Sequence, residues 1–282
     1  ADLRGPQTGE PDRRFTLTAK EVRLVLASGR TVEGWGFDGR VPGPELRVKQ
    51  GDLVEVTLRN ELPDAGVTIH WHGVNVPNGE DGVAGVTQDA VMPGESFTYR
   101  FIAEDAGTYW YHTHQQSSVQ VLKGLYGALI VEPREESGDA ENILDVTLMS
   151  HLWETDEGSI ETLNLSDRWE RLAAGPGTEV HLGLVNTSNL PQHFAIAGTP
   201  FRVTAIDGVD LNEPGELQDT RMLLAAGGRY TVRFTMPENA VFVQLSSAGG
   251  AGTYNLPGVV LSPDGNAEGP PEGERLPGIT GE

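Results

Sequence analysis

Apolar and polar residues alternate over many short stretches of the chain, and turn-forming residues separate these stretches. Residues 53–58 and 96–102 show the two-residue period typical of strands with one buried face. Long stretches with the 3.6-residue period of amphipathic helices are missing. The 36 glycines and 18 prolines are typical of the many turns that connect short strands. The pattern therefore predicts an all-β protein of the sandwich type.

The predicted strands form two sets, which divide the chain into domains. Residues 1–13 are expected to be a flexible entry, and residues 14–132 a first domain with its last strand over 122–131. A short charged segment, 133–141, is typical of an interdomain linker. Residues 142–263 form a second domain, and 264–282, rich in glycine, proline and glutamate, are expected to be disordered or a linker. A length of 282 residues allows each domain its own core.

Composition excludes several classes of function. The formal charge of −21 disfavours binding to nucleic acid or to anionic membranes. No apolar run is long enough to span a membrane. The first residues are polar and lack a signal-peptide core, which would fit an exported chain whose leader has been removed. The cysteine count of zero rules out a type 1 (blue) copper site within this chain, because that site requires a thiolate ligand.

Two His-x-His pairs, His70-Trp71-His72 and His112-Thr113-His114, are the strongest chemical signal. Side chains two residues apart on a strand point to the same face, so each pair presents two imidazoles together. Two such strands side by side could bracket metal ions about 3.5 to 4 Å apart, a spacing typical of sites where metals share a substrate. Structural zinc usually draws on thiolates, so copper or another metal that favours imidazole is the better prediction. The long irregular segment 74–94 between the pairs is also typical of a functional loop.

The sequence around these pairs resembles a known family. The run IHWHGVNVPNGEDGVAGVTQDAVMPGESFTYRF, followed by GTYWYHTH and GLYGALIVEP, resembles the first cupredoxin domain of laccase-like multicopper oxidases. The resemblance implies that His70 binds the type 2 copper, that His72 and His112 share one copper of the type 3 pair, and that His114 binds the other. It also implies that Asp81 helps to move protons near this cluster.

The second half of the chain extends the resemblance. The run PQHFAIAGTPFRVTAIDGVDL, with LLAAGGRYTVRF, resembles the second domain of three-domain multicopper oxidases, which binds no copper. The resemblance therefore implies two cupredoxin-like (plastocyanin-like) domains, each a Greek-key β-sandwich or barrel. The remaining histidines, His151, His181 and His193, have no His-x-His partner and are expected to have surface or structural roles.

Enzymes of this family take single electrons from phenols or metal ions and reduce dioxygen to water. In the three-domain enzymes a third cupredoxin domain brings the other cluster ligands and the cysteine of the blue-copper site. The resemblance thus implies that this chain is the N-terminal two-domain part of such an oxidase and is inactive alone. It would be completed by a third domain or a complementary chain, in an extracellular, periplasmic or cell-envelope location.

Two other interpretations remain open from the residues. The chain could be a non-catalytic cupredoxin that binds copper or zinc through the same four histidines. Alternatively, copies of the chain could place their histidine faces together, although the second domain lacks complementary His-x-His pairs. Copper nitrite reductases fit no better, because their electron-transfer copper also needs a cysteine.

Overall fold

A computed structural model describes residues 3–135, 142–247, 256–271 and 273–279 of the chain. The described residues form two compact units. One consists of the described parts of Ala1–Leu24 and Thr31–Glu136, and the other of those of Val25–Arg30 and Ser137–Glu282. Part of the predicted linker, residues 136–141, lies outside the described residues. Among the described residues, no helix has the length and apolar character needed to cross a bilayer.

The first unit is a β-sandwich made of two facing sheets. One sheet has the strand order β2-β1-β4-β6 and the other β3-β8-β7-β5. Pairing is mixed, because β1 runs parallel to β4 and β3 parallel to β8, whereas β4–β6, β7–β8 and β5–β7 are antiparallel. The elements are β1 (Arg13–Val25), β2 (Thr31–Phe37), β3 (Leu46–Lys49), β4 (Leu53–Asn60), β5 (His70–His72), a 3-10 turn (Asn78–Glu80), β6 (Ser96–Ile102), β7 (Gly107–His112), α1 (Ser117–Gln120) and β8 (Tyr126–Glu132).

The core of the first unit follows directly from the two-residue alternation. Val54, Val56 and Leu58 of β4 are fully buried, and every second side chain between them is partly exposed. From the opposite sheet, Trp71 and Tyr111 enter the same core with no exposed surface. Burial of these large side chains, each contributing about 1.5 to 3 kcal/mol or more, holds β5 and β7 against the sandwich.

The second unit is also a sandwich, with strand orders β10-β9-β12-β17-β14-β15 and β11-β19-β18-β13-β16. Its core contains Leu182, Leu184, Phe194, Val232 and Val243. The strands are β9 (Ile143–Thr155), β10 (Gly158–Leu163), β11 (Trp169–Ala173), β12 (Glu179–Asn186), β13 (Gln192–Ala197), β14 (Arg202–Ile206), β15 (Val209–Asp210), β16 (Thr220–Leu224), β17 (Arg229–Thr235), β18 (Val241–Ser247) and β19 (Gly258–Ser262).

The all-β prediction is confirmed, and some local predictions need correction. The predicted strand over 122–131 begins only at Tyr126, because the turn that follows α1 extends through Gly124. The predicted flexible entry forms defined hydrogen bonds from Arg4 onward. In the predicted tail, Leu276 is buried against Ala195 and Ala197 of the second unit. The division into two domains at the predicted boundaries stays a prediction.

Candidate metal centre

His70 and His72 lie on β5, and His112 is the last residue of β7, the adjacent antiparallel strand. In the β5–β7 ladder His70 is directly opposite His112, and His72 is opposite Trp110. Directly opposed side chains on an antiparallel pair project from the same face of the sheet. Three of the four histidines therefore lie on neighbouring strands, and the register places His70, His72 and His112 on one face, whereas His114 follows the end of β7.

The residues between the histidines anchor this face to the core. Trp71 packs with its ring centroid 5.5 Å from Tyr99 and 4.8 Å from Phe101. The hydroxyl of Tyr99 accepts a hydrogen bond from the backbone N–H of Ile69 at 2.9 Å, immediately before β5. Because β5 is only three residues long, these buried contacts, rather than a long ladder, fix where His70 and His72 project.

The four imidazole rings converge. Ring centroids are separated by 5.8 Å for His70–His72, 5.2 Å for His70–His112, 5.1 Å for His70–His114, 5.4 Å for His72–His112 and 6.1 Å for His112–His114. One ligand nitrogen from each of His70, His72 and His112 falls within 4.8 Å of the others. Among the described residues, this trio is the sole group of three or more potential ligands with such spacing. His114 lies beside the trio.

The closest nitrogens belong to His72 and His112. Their Nδ1 and Nε2 atoms are 3.2 Å apart. Two ligand nitrogens on one tetrahedral ion, each about 2.0 to 2.1 Å from the metal, are separated by roughly 3.3 Å. The Nδ1 of His112 contacts the carbonyl oxygen of Thr113 at 2.7 Å, and since a carbonyl only accepts, this nitrogen is the donor. Nε2 of His112 therefore carries the lone pair and faces His72, as a shared ligand pair requires.

Asp81 orients the ring of His70. Nδ1 of His70 lies 2.9 Å from the backbone oxygen of Asp81 and 3.1 Å from a carboxylate oxygen of the same residue. Both oxygens accept at neutral pH, so Nδ1 donates and Nε2 is left to bind a metal. The contact depends on close backbone approach at Gly82, where a Cβ would lie 1.7 Å from the oxygen of Ile69. A side chain at this position would push the loop away from His70.

His114 projects beyond the end of β7 and is held through its backbone. Its N–H donates to the hydroxyl of Thr68 at 3.1 Å. The preceding Thr113 is fully buried and donates to the Gln120 side chain at 2.7 Å, while the Gln120 amide donates to the oxygen of Gly66 at 3.0 Å. These contacts tie the His112–His114 turn to the chain that leads into β5.

Trp110 packs against two of the candidate ligands. Its ring centroid is 4.9 Å from that of His72 and 4.2 Å from that of His112, with interplanar angles of 27° and 32°. Alternation along the strand predicts that Trp110 shares the face of the histidines as a packing residue, and these contacts agree with the prediction. Its position beside His72 depends on the cross-strand register, in which the two residues are opposite each other.

Burial keeps His112 neutral. The side chain is 6% exposed, and loss of hydration lowers its pKa from 6.5 to about 3, with the neighbouring imidazoles acting in the same direction and the Thr113 hydrogen bond opposing them. A neutral imidazole is the form that binds metal. At pH 7 this ligand needs no deprotonation before binding.

The lowered pKa of His112 predicts an acid-sensitive fold. Between pH 6.5 and about 3 the unfolded chain binds a proton at His112 that the folded chain does not. Stability is therefore unaffected by this group above pH 6.5 and declines as pH falls toward 3. We expect the urea midpoint of the metal-free chain to decrease between pH 7.5 and 4.5, and to decrease less in a His112→Gln variant. Equal decreases in both chains would contradict this assignment.

The remaining histidines lie elsewhere. His151 is fully buried in the second unit, where its Nδ1 lies 2.9 Å from the hydroxyl of Thr187. His181 lies on β12 with Nε2 2.7 Å from a carboxylate oxygen of Glu179. Neither these two residues nor His193 belongs to a group of three potential ligands within the described part of the chain.

The two sandwiches, one with a convergent histidine face, define a protein of the cupredoxin-like class. The family model described as multicopper oxidase matches residues 18–136. An L-ascorbate oxidase of Cucumis sativus is 50% identical over 120 residues, which are 41% of this chain and 20% of that protein. The chain thus spans about a fifth of the length of the curated relatives it matches.

Solved structures match over most of the chain. A multicopper oxidase from Pseudomonas thermotolerans is 32% identical, with a TM-score of 0.77, and the match covers 93% of this chain and 67% of that one. A blue copper oxidase from Nitrosomonas europaea is 28% identical, with a TM-score of 0.78 and coverage of 89% and 85%. The chain belongs to the multicopper oxidase family. Membership implies copper as the metal, and an all-imidazole donor set fits copper.

Proposed function

We propose that this chain supplies the four-histidine face of the copper cluster in a laccase-like oxidase. The enzyme would couple one-electron oxidation of phenols or metal ions to the reduction of dioxygen to water. The observation that carries the proposal is the 3.2 Å approach of His72 Nδ1 to His112 Nε2, with His70 completing a trio within 4.8 Å. Copper bound there would supply the redox chemistry.

The geometry supports distinct roles for the four ligands. His72 and His112 would share one type 3 copper, because their facing nitrogens have the separation expected of two ligands on one ion. His70 would serve the type 2 copper through Nε2, since Asp81 holds its Nδ1. His114 would bind the second type 3 copper from its position beyond the strand end.

Asp81 would hold and move protons. Its carboxylate lies 3.1 Å from His70 Nδ1, and its side chain is 32% exposed. The residue therefore contacts both the candidate ligand and solvent, as required of a group that passes protons from bulk water towards the reacting oxygen. Reduction of dioxygen to water consumes protons, and a carboxylate in this position would supply them.

The cluster would be completed from outside this sequence. The chain has no cysteine, and the described residues contain no second group of potential ligands. We propose that a third cupredoxin domain or a complementary chain supplies the remaining ligands and the blue-copper site. The similarity of this chain to oxidases of the family favours an extracellular or cell-envelope location for the protein.

A second candidate function is metal binding without catalysis. The trio by itself offers three imidazole nitrogens within 4.8 Å, enough to hold one copper or zinc ion. Tight, stoichiometric metal retained by the bare chain against a mild chelator would favour this candidate over the oxidase.

The deciding experiment combines copper and zinc quantification with an oxidase assay. It compares the 282-residue chain with the longest natural form of the protein. We expect the short chain to lose metal to a mild chelator and to show no oxidase activity, and the long form to retain copper and to consume dioxygen. Activity in the short chain would overturn the proposal that outside ligands are required. A long form that binds no copper would overturn the function itself.

A further inference from the structure

A buried carboxylate lies next to the residue that orients His70. Glu80, the last residue of the Asn78–Glu80 turn, directly precedes Asp81 and is 1% exposed. One carboxylate oxygen accepts the N–H of Gly5 at 3.0 Å, and the other accepts the N–H of Arg100 at 2.9 Å. Both acceptor atoms are therefore used to join three separate segments of the first unit.

The segment joined by Glu80 on one side is the start of the chain, residues 3–9, here called the N-terminal strap. The backbone oxygen of Leu3 accepts the N–H of Gly79, and the Arg4 guanidinium donates to the Gly79 oxygen at 3.2 Å. The guanidinium of Arg100 donates at 2.7 Å to the oxygens of both Pro6 and Gly9. The strap is thus tied to the Asn78–Glu80 turn and to β6.

Close packing leaves no space for a side chain at Gly5 of the strap. A Cβ at Gly5 would lie 1.6 Å from the backbone oxygen of Arg100 and 3.3 Å from the Glu80 side chain. Only glycine allows the Gly5 N–H to reach the Glu80 carboxylate. Any larger residue must displace the strap, and the hydrogen bond with it.

On its other side, Glu80 is linked through Asp81 to His70, the candidate metal ligand. The N–H of Asp81 donates to the oxygen of Asn78 at 3.2 Å, closing the turn, and the Asp81 oxygen lies 2.9 Å from His70 Nδ1. A displacement of Glu80 therefore moves the atoms that orient His70. Outer partners of this kind set the tautomer and direction of a ligand ring, and losing one typically lowers metal affinity about 10- to 100-fold.

We propose that Glu80 and the N-terminal strap are positioning elements of the metal centre, which act through Asp81 on His70. The inference rests on the proposed function, because it assumes that His70 binds metal. It gives residues 3–9 a purpose that their sequence does not suggest. Glu80 and the strap are proposed to act through Asp81, so they are positioning elements and not catalytic ones.

The test uses the full chain with Glu80→Gln, Gly5→Ala and the double variant. Glutamine keeps the shape of Glu80 but replaces one acceptor oxygen with a donor, so one of the two backbone N–H groups loses its partner. Matched controls are Glu61→Gln, an exposed glutamate, and Gly215→Ala, where a new Cβ meets nothing within 4 Å. Cu(II) affinity is measured by chelator competition, and the His70 ring by nitrogen-15 NMR of the metal-free chain. Urea unfolding reports global stability.

We expect both single variants to bind Cu(II) about 10- to 100-fold more weakly than the parent and to change the His70 Nδ1 signal. The double variant should lose less affinity than the product of the two single effects, because both changes act on the same hydrogen-bonded group around Glu80. Controls should match the parent. Lower urea stability with unchanged affinity and an unchanged His70 signal would overturn the inference in favour of a purely structural role. A parent chain that fails to bind Cu(II) would instead overturn the proposed function, while the NMR comparison would still decide the positioning role.

Discussion

Replacing His72 and His112 together with glutamine is expected to weaken Cu(II) binding by more than about 100-fold, beyond the usual cost of losing an outer partner. The two nitrogens that face each other at 3.2 Å are the pair proposed to share one ion. Removing both leaves His70 and His114, which offer too few ligands for a closed site. The measurement is chelator competition on the purified chain, with circular dichroism to confirm that the fold is kept.

The matched control is His181→Gln. This histidine lies in the second unit, on β12, and its Nε2 contacts Glu179 rather than another imidazole. Its removal should leave Cu(II) affinity unchanged. Equal losses from the control and the double variant would show that copper binds the chain's histidines nonspecifically, against a defined centre at β5 and β7.

Trp71→Ala is expected to lower the free energy of unfolding by about 3 to 5 kcal/mol, the usual cost of truncating a large buried aromatic side chain. Trp71 has no exposed surface and packs against Tyr99, Phe101 and Tyr111. It lies between two candidate ligands, so the cavity would also release β5 from the core. Urea unfolding followed by far-ultraviolet circular dichroism measures the loss, and Cu(II) affinity should fall with it.

The control for this variant is Val86→Ala, in the same unit but with a side chain that is 78% exposed. Substitutions of this kind usually change stability by less than about 0.5 kcal/mol. A Trp71→Ala chain as stable as the Val86→Ala chain would mean that the aromatic contacts contribute little and that β5 is held by other means.

The histidine face was accessible from sequence because strand alternation is a local rule. It predicts that Tyr109 and Tyr111 point away from Trp110 and His112, and the structure confirms this, with both tyrosines in the core. The same rule does not predict which residues of β5 and β7 pair with each other. The pairing of His70 with His112 is accompanied by contacts outside the strands, such as the hydrogen bond from the His114 N–H to the hydroxyl of Thr68.

The surroundings of the site were harder to predict because they depend on contacts between distant segments. The hydrogen bond from Gly5 to Glu80 joins residues 75 positions apart, and nothing in the composition of residues 1–13 indicates it. Similarly, the Gln120 side chain reaches Gly66 from a short helix that the sequence analysis did not predict. Local patterns predict which residues share a face, whereas these long-range hydrogen bonds depend on how the loops pack.

The packing of Trp110 against two imidazoles has a practical consequence for experiments. An indole in van der Waals contact with His72 and His112 would lie beside any paramagnetic ion that those rings hold. Its emission would be quenched on loading with Cu(II) and would remain on loading with diamagnetic Zn(II). The protein would thereby carry an intrinsic fluorophore that reports metal binding at this centre without an added dye.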